Sequence, residues 1–155
     1  MNLIHLDKID STNNYAKNIL EKTSFSDFFK LDKTIIYADE QTNGRGRLNR
    51  EFFSPKNTGL YFSLIYIPKE KICDPAFITT TACVAVCKQL ENFYNNSIDC
   101  KIKWVNDIYL NNKKICGILT EGVFDSNSQK IGAFVIGIGI NICTENYPDE
   151  LKHKA

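Results

Sequence analysis

Hydrophobic and polar positions alternate along this chain in two rhythms, and the rhythms divide it into elements. Leu3 to Leu6 reads as a short strand. Asp10-Ser11-Thr12-Asn13 then offers consecutive helix caps before Tyr15, Ala16, Ile19 and Leu20 recur at helical spacing, which predicts a helix from about Asn13 to Lys22. Thr34–Ala38 and Gly59–Ile67 are compact runs rich in β-branched and aromatic residues, and both are expected to be strands. Pro75 opens a long helix, with Cys83, Val86, Cys87, Leu90, Phe93 and Tyr94 as its apolar stripe.

From Cys100 the period is that of a β-meander. Lys101–Trp104, Ile108–Leu110 and Ile115–Leu119 are strand candidates, and Asn111-Asn112 supplies a turn pair that tolerates positive φ. Asp125–Ser128 makes the next turn, and Ile131–Ile142 is the last strand. Gly137 and Gly139 thin that strand where a ligand or backbone could approach closely. The residues from Asn146 to Ala155 are polar and expected at the surface, and no internal repeat or linker interrupts the chain.

Composition narrows the picture. At 155 residues and 43% hydrophobic content the chain is expected to be one domain with a real core. Nineteen basic against eighteen acidic residues leave a formal charge of +1, which gives no footprint for nucleic acid or an anionic membrane. The six cysteines lack paired C-x-x-C spacing, and only His5 and His153 could supplement them, so a zinc site is not expected. Free cysteines without a signal peptide or an apolar span point to a reducing, cytoplasmic setting.

Candidate chemistry concentrates in two stretches. Between two predicted strands lies Gly44-Arg45-Gly46-Arg47, where glycines allow close backbone approach and guanidinium forks match carboxylate or phosphate. A small anion is the natural guest; a solvated surface loop is the alternative. The glycines and clustered like charges predict a loop without fixed shape until an anion arrives. No third glycine or Gly-Lys-Ser/Thr run follows, which excludes dinucleotide and Walker A loops. Lys103-Trp104-Val105-Asn106-Asp107 gathers a lysine, an amide and a carboxylate beside a large aromatic, either a pocket wall or a solvated sheet edge. Ser11-Thr12-Asn13 carries a similar pair of readings, helix cap or ligand contact.

Taken in order, Ser11-Thr12-Asn13, Glu40 to Arg47, Lys103 to Tyr109, Lys114 to Glu121 and Gly137 to Ile142 closely resemble the biotin protein ligases, over nearly the whole chain. The resemblance implies an α/β catalytic domain over residues 1–155: a mixed, mostly antiparallel sheet with helices packed largely on one face, related to class II aminoacyl-tRNA synthetases. It implies ATP-dependent activation of biotin as biotinyl-5′-AMP, with magnesium, and transfer to a lysine of a biotin carboxyl carrier protein, the acetyl-CoA carboxylase subunit. Lys103 and Arg47 would be catalytic. Ser11, Thr12, Asn13, Gln41, Gly44, Arg45, Arg47, Lys103 and Gly117 would hold biotin. Arg47, Phe52, Lys103 and Asn141 would hold the nucleotide, while no metal ligand is assigned and Asp107 would brace its loop.

A homodimer is compatible with the resemblance. Three positions depart from the family pattern: Val105 stands for the usual proline, Asn49 for a common glycine and Phe52 for a tryptophan. Neither a winged-helix segment before Ser11 nor a β-barrel after Leu151 is recognisable, so no repressor role is expected. A lipoate-type ligase and a non-catalytic biotin-binding remnant are the alternatives; the first lacks a match to Lys103-Trp104-x-Asn106-Asp107, the second is at odds with the retained Lys103 and loop arginines.

Overall fold

The computed structural model describes residues 2–69, 74–124, 130–144 and 147. Its frame is a seven-stranded sheet whose strands, in chain order, are β1 (Leu3–Ile9), β2 (Ile35–Gln41), β3 (Gly59–Tyr66), β4 (Lys101–Lys103), β5 (Asp107–Leu110), β6 (Lys113–Phe124) and β7 (Ile131–Asn141). They lie side by side in the order β1-β2-β3-β7-β6-β5-β4. Only β1 and β2 run parallel, joined through helix α1 (Thr12–Glu21) and a 3-10 helix over Phe25–Leu31; every other neighbour pair is antiparallel. The mixed, mostly antiparallel sheet and its terminal meander follow the expectation. The expected turn at Asp125–Ser128 lies outside the described residues.

Strand β7 explains the layering. Its side chains alternate so that Phe134, Ile136, Ile138 and Ile140 face one side and Ala133 and Val135 the other, and all six are buried. A strand apolar on both faces needs cover on both. Helix α2 (Pro75–Phe93) covers the first face through Ile78, Cys83 and Cys87; α1 covers the second through Ala16 and Leu20, with Phe28 of the 3-10 helix beside it. The helices are therefore divided between the faces, where the resemblance implied one face.

Local differences have local causes. Ser11 caps α1, its side chain accepting from the Asn14 amide, so the helix begins at Thr12. On α2, Phe93 is 73% exposed despite its place in the expected stripe, because six residues turn it roughly 120° from Cys87 around the helix. Tyr94 is the C-cap residue and is also exposed. Asn111 and Asn112 take φ of 51° and 64°, the turn the Asn pair predicts. Strand β6 runs well beyond Ile115–Leu119, since its polar positions Thr120 and Glu121 find partners inside the protein.

Candidate functional site

The face that carries α1 is only partly covered by it. Beyond the helix N-terminus lies a cavity of about 900 Å³, within the range of small-molecule sites. Its floor is the stretch where Gly117 of β6 stands opposite Gly139 of β7, with Leu119 opposite Gly137 next along. Three glycines across two strands remove the side chains that would fill this space.

Two of those glycines accommodate other parts of the chain. A Cβ at Gly137 would lie 2.2 Å from Asn13 Oδ1, and one at Gly139 would lie 2.4 Å from Phe52 Cε1. A Cβ at Gly117 would meet the same Phe52 ring at 3.1 Å and Lys114 Nζ at 3.3 Å. The close approach at the last strand is thus made by the side chains of Asn13 and Phe52, where a ligand or backbone was expected. Phe52 also meets Tyr61 edge-on, with ring centroids 6.4 Å apart.

Above the floor, a polar chain runs from α1 into the β2–β3 loop. The Thr12 amide and hydroxyl both donate to Gln41 Oε1, at 2.9 and 3.1 Å. Gln41 Nε2 donates to Ser54 Oγ at 2.9 Å, and Ser54 in turn donates to the Phe52 carbonyl. Ser63, fully buried on β3, lies within 2.8 Å of Thr12 Oγ1 and 2.6 Å of Asn13 Oδ1. Sequence reasoning passes over Ser54 and Ser63, because a lone serine in a loop or a strand-like run carries no signal of what it will face.

The Gly-Arg loop is closed by its own backbone. The Gly46 amide donates to the Arg50 carbonyl at 2.7 Å and the Phe52 amide to the Gly44 carbonyl at 2.8 Å. A Cβ at Gly44 would lie 2.3 Å from the Phe52 carbonyl oxygen, so this glycine is required by the loop's own packing; alone among the predicted residues, it does not line the cavity. Asn49 takes φ 58°, a conformation asparagine tolerates better than other side chains, which accounts for it in place of glycine.

The cavity lining includes Arg45, Arg47, Arg50, Lys103 and Lys114 against the carboxylates of Glu51 and Asp107. A chain of net charge +1 thus concentrates its positive charge here. Asn106 joins the two basic stretches: it accepts from Arg47 Nη1 at 3.2 Å and donates to the Ile118 carbonyl at 3.2 Å. Lys103 Nζ rests over the Tyr109 ring, 5.4 Å from its centre. Lys114, missed in the sequence, pairs with Asp107 at 2.7 Å.

Arg45 is differently placed. Its guanidinium lies 3.2 Å from Glu121 and donates to Asn14 Oδ1 at 3.0 Å. Glu121 also accepts from Asn13 and Lys17, each at 2.9 Å. Burial pushes the Glu121 carboxyl up, but the Asn13, Lys17 and Arg45 contacts outweigh it and hold the group below the ordinary carboxylate value. Asn141 Oδ1 is the opposite case: buried at the end of β7, it has no hydrogen-bond partner among the described residues. Trp104, in the stretch read as either a pocket wall or a solvated sheet edge, is 77% exposed and does not line the cavity.

Ser11, Thr12, Asn13, Gln41, Arg45, Arg47, Phe52, Lys103, Gly117 and Asn141 therefore border one cavity, although they come from five separate stretches of chain. What the arrangement can do chemically is set by three cations without an ion pair among the described residues (Arg47, Arg50 and Lys103), a glycine-lined floor and an unpaired acceptor. It can receive a molecule with an anionic centre and an apolar body.

Residues 6–141 match the biotin/lipoate A/B protein ligase family. The chain is 36% identical over 152 residues to the bifunctional ligase/repressor BirA of Bacillus subtilis (strain 168), covering 97% of this chain and 44% of that protein. It is 30% identical over 137 residues to the biotin–(acetyl-CoA-carboxylase) ligase of Paracoccus denitrificans, covering 88% of this chain and 53% of that one. Among solved structures, the biotin protein ligase from Aquifex aeolicus in complex with biotin and ATP superposes with a TM-score of 0.76 at 34% identity, over 99% of this chain and 58% of that chain. The chain thus spans about half the length of these relatives.

Proposed function

Since the chain belongs to the biotin/lipoate A/B protein ligase family, we propose that it activates biotin with ATP and passes the biotinyl group to a lysine of a biotin carboxyl carrier protein. The observation that carries this reading is that Arg47, held by Asn106, and Lys103 line one cavity above a glycine floor. Biotin has the matching form: a fused bicycle, polar at its ureido edge and apolar over its thiophane ring, with a carboxylate at the end of an alkyl chain.

In the first step a carboxylate oxygen of biotin attacks the α-phosphorus of ATP, the bond to the β-phosphate oxygen breaks, and pyrophosphate leaves. Two anions must approach, and negative charge gathers on the phosphorus-bound oxygens. Lys103 and Arg47 supply positive charge fixed in advance, which lowers that barrier. In the second step the acceptor lysine's amine attacks the mixed-anhydride carbonyl, loses a proton, and AMP leaves.

The other residues divide into contact and support. Gly117 and Gly139 offer the ring a floor once Phe52 moves aside, and Phe52 then stands beside the nucleotide. Asn141 Oδ1 is an acceptor suited to a nucleotide N–H or O–H donor. Ser11, Thr12 and Gln41 order the biotin end, with the second N–H of Gln41 Nε2 left for the ligand. Asn13 supports from behind, its amide already engaged with Ser63 and Glu121.

Magnesium would accompany ATP through its phosphates. Among the described residues the cavity offers no pair of free carboxylates, because Asp107 is bound to Lys114, so no ligand set is assigned to the protein. A reducing cytoplasmic setting agrees with the free thiols of Cys83, Cys87, Cys100, Cys116 and Cys143. Among the described residues no helix is long and apolar enough to cross a membrane.

The test is ATP–pyrophosphate exchange. Exchange that depends on biotin and not on lipoate is the expected result. Exchange with lipoate alone would assign the chain to the other branch of the family, and binding of biotin without exchange would make it a non-catalytic biotin binder.

A further inference from the structure

Glu121 is a carboxylate that the proposed chemistry does not use, yet it collects three polar partners, Asn13, Lys17 and Arg45. It projects from β6 with its side chain 18% exposed. Asn13 and Lys17, four residues apart on one face of α1, reach it from one side, and Arg45 reaches it from the β2–β3 loop. Arg45 also holds Asn14, so its guanidinium is fixed at two points on the α1 side of the cavity.

The position of Arg45 governs the rest of the loop. Gly46 and Arg47 come next in the chain, and the Gly46 amide closes the loop on the Arg50 carbonyl. Arg47 then reaches Asn106 across the cavity at 3.2 Å. One side of the loop is thus anchored at Glu121 and the other at Asn106. Released from Glu121, the loop keeps its glycines and its clustered positive charge, both of which favour an open chain.

We propose that Glu121 is a positioning residue that latches the Gly-Arg loop over the cavity by holding Arg45, so that Arg47 is brought to the side where Lys103 lies. The latch itself is independent of the adenylation reading; only its kinetic consequence rests on it. A latch sets the fraction of molecules with the loop closed, and apparent affinity is reduced in proportion when that fraction falls. Saturating ligand restores the closed loop, so the latch acts on KM more than on kcat.

Trypsin digestion of the full chain without ligand reads the latch directly, as cleavage after Arg47 and Arg50. Glu121→Gln and Arg45→Gln are each expected to speed that cleavage about tenfold, and the double variant no further, since both remove the same contact. Lys17→Met removes the other cation on Glu121 and is expected to leave loop cleavage within twofold of the parent. In biotin-dependent ATP–pyrophosphate exchange, Glu121→Gln should raise the KM for biotin about tenfold with kcat within threefold. Thermal unfolding confirms that each variant is folded. If Glu121→Gln does not fold, Arg45→Gln reads the same contact from the loop side.

Loop cleavage within twofold of the parent in the folded variants, additive effects in the double variant, or equal acceleration by Lys17→Met would overturn the proposal, as would a loss confined to kcat. Absence of exchange in the parent chain would instead overturn the adenylation reading, while the digestion would still decide the latch.

Discussion

Lys103 Nζ stands over the face of Tyr109, 5.4 Å from the ring centre, while the neighbouring lysine of the cavity, Lys114, is tied to Asp107 at 2.7 Å. The aromatic face orients the first ammonium without neutralising it, so its charge stays available to an incoming anion.

Lys103→Ala should therefore lower the rate of biotinyl-adenylate formation by roughly 10²–10³-fold, the scale for one lost transition-state electrostatic contact. The side chain is exposed and carries no ion pair among the described residues, so the unfolding temperature should hardly change. Single-turnover formation of radiolabelled adenylate measures the effect, and a rate within threefold of the parent would remove Lys103 from the site.

Gly139→Ala places a methyl group 2.4 Å from Phe52 Cε1, a distance no carbon pair sustains. Either the ring or the strand must yield, and overpacking of this kind costs about 1–3 kcal/mol. Adding Phe52→Ala should recover much of that loss, because it removes the atoms in conflict. Urea unfolding of the two single variants and the double variant checks this; strictly additive losses would mean that the ring does not lie on the floor.

Glu121 gives stability a pH dependence of definite sign. Burial would raise its pKa, but the Asn13, Lys17 and Arg45 contacts prevail and the folded value lies below the ordinary 4.5. A depressed carboxyl contributes stability that is present above the unfolded pKa and is lost as pH falls through the folded value. The parent should thus lose stability more steeply below about pH 4.5 than Glu121→Gln does. Urea midpoints between pH 6 and pH 3 compare the two, and parallel curves would show that the carboxylate gains nothing from its partners.

Burial pushes the thiols of Cys83 and Cys87 up to about 11 and about 12, and that of Cys116 higher still. Their thiolate fractions at neutral pH are negligible, whereas Cys143 is exposed. Iodoacetamide at pH 8 should label Cys143 in the folded protein and reach Cys83, Cys87 and Cys116 only after denaturation. Peptide mass spectrometry resolves the sites. Rapid labelling of Cys116 in the folded chain would contradict its place in the core.

The sequence by itself determined the elements and the chemistry they carry. Local rules act over a few residues, so the cap at Ser11, the proline-led helix at Pro75, the Asn111-Asn112 turn and the meander from Lys101 were legible from spacing alone. The basic residues Arg47 and Lys103 stood out because glycine and arginine in alternation, or a lysine beside an amide and a carboxylate, are unusual as local patterns. Only the tertiary structure decided which partners those groups meet. Glu121, Ser63 and Lys114 sit in strand sequences where nothing nearby reveals their partners: Arg45, Asn13 and Asp107 lie 76, 50 and 7 residues away and are brought close by the β2–β3 loop, by helix α1 and by the register of β5 on β6. The same holds for the two faces of β7, whose alternation was readable although the helix assigned to each face was not. Period fixes where a side chain points; what lies there is set by how strands, helix and loop distant in sequence come together, through which Glu121 takes up Arg45 and leaves Arg47, Arg50 and Lys103 as cations facing the cavity without an ion pair among the described residues.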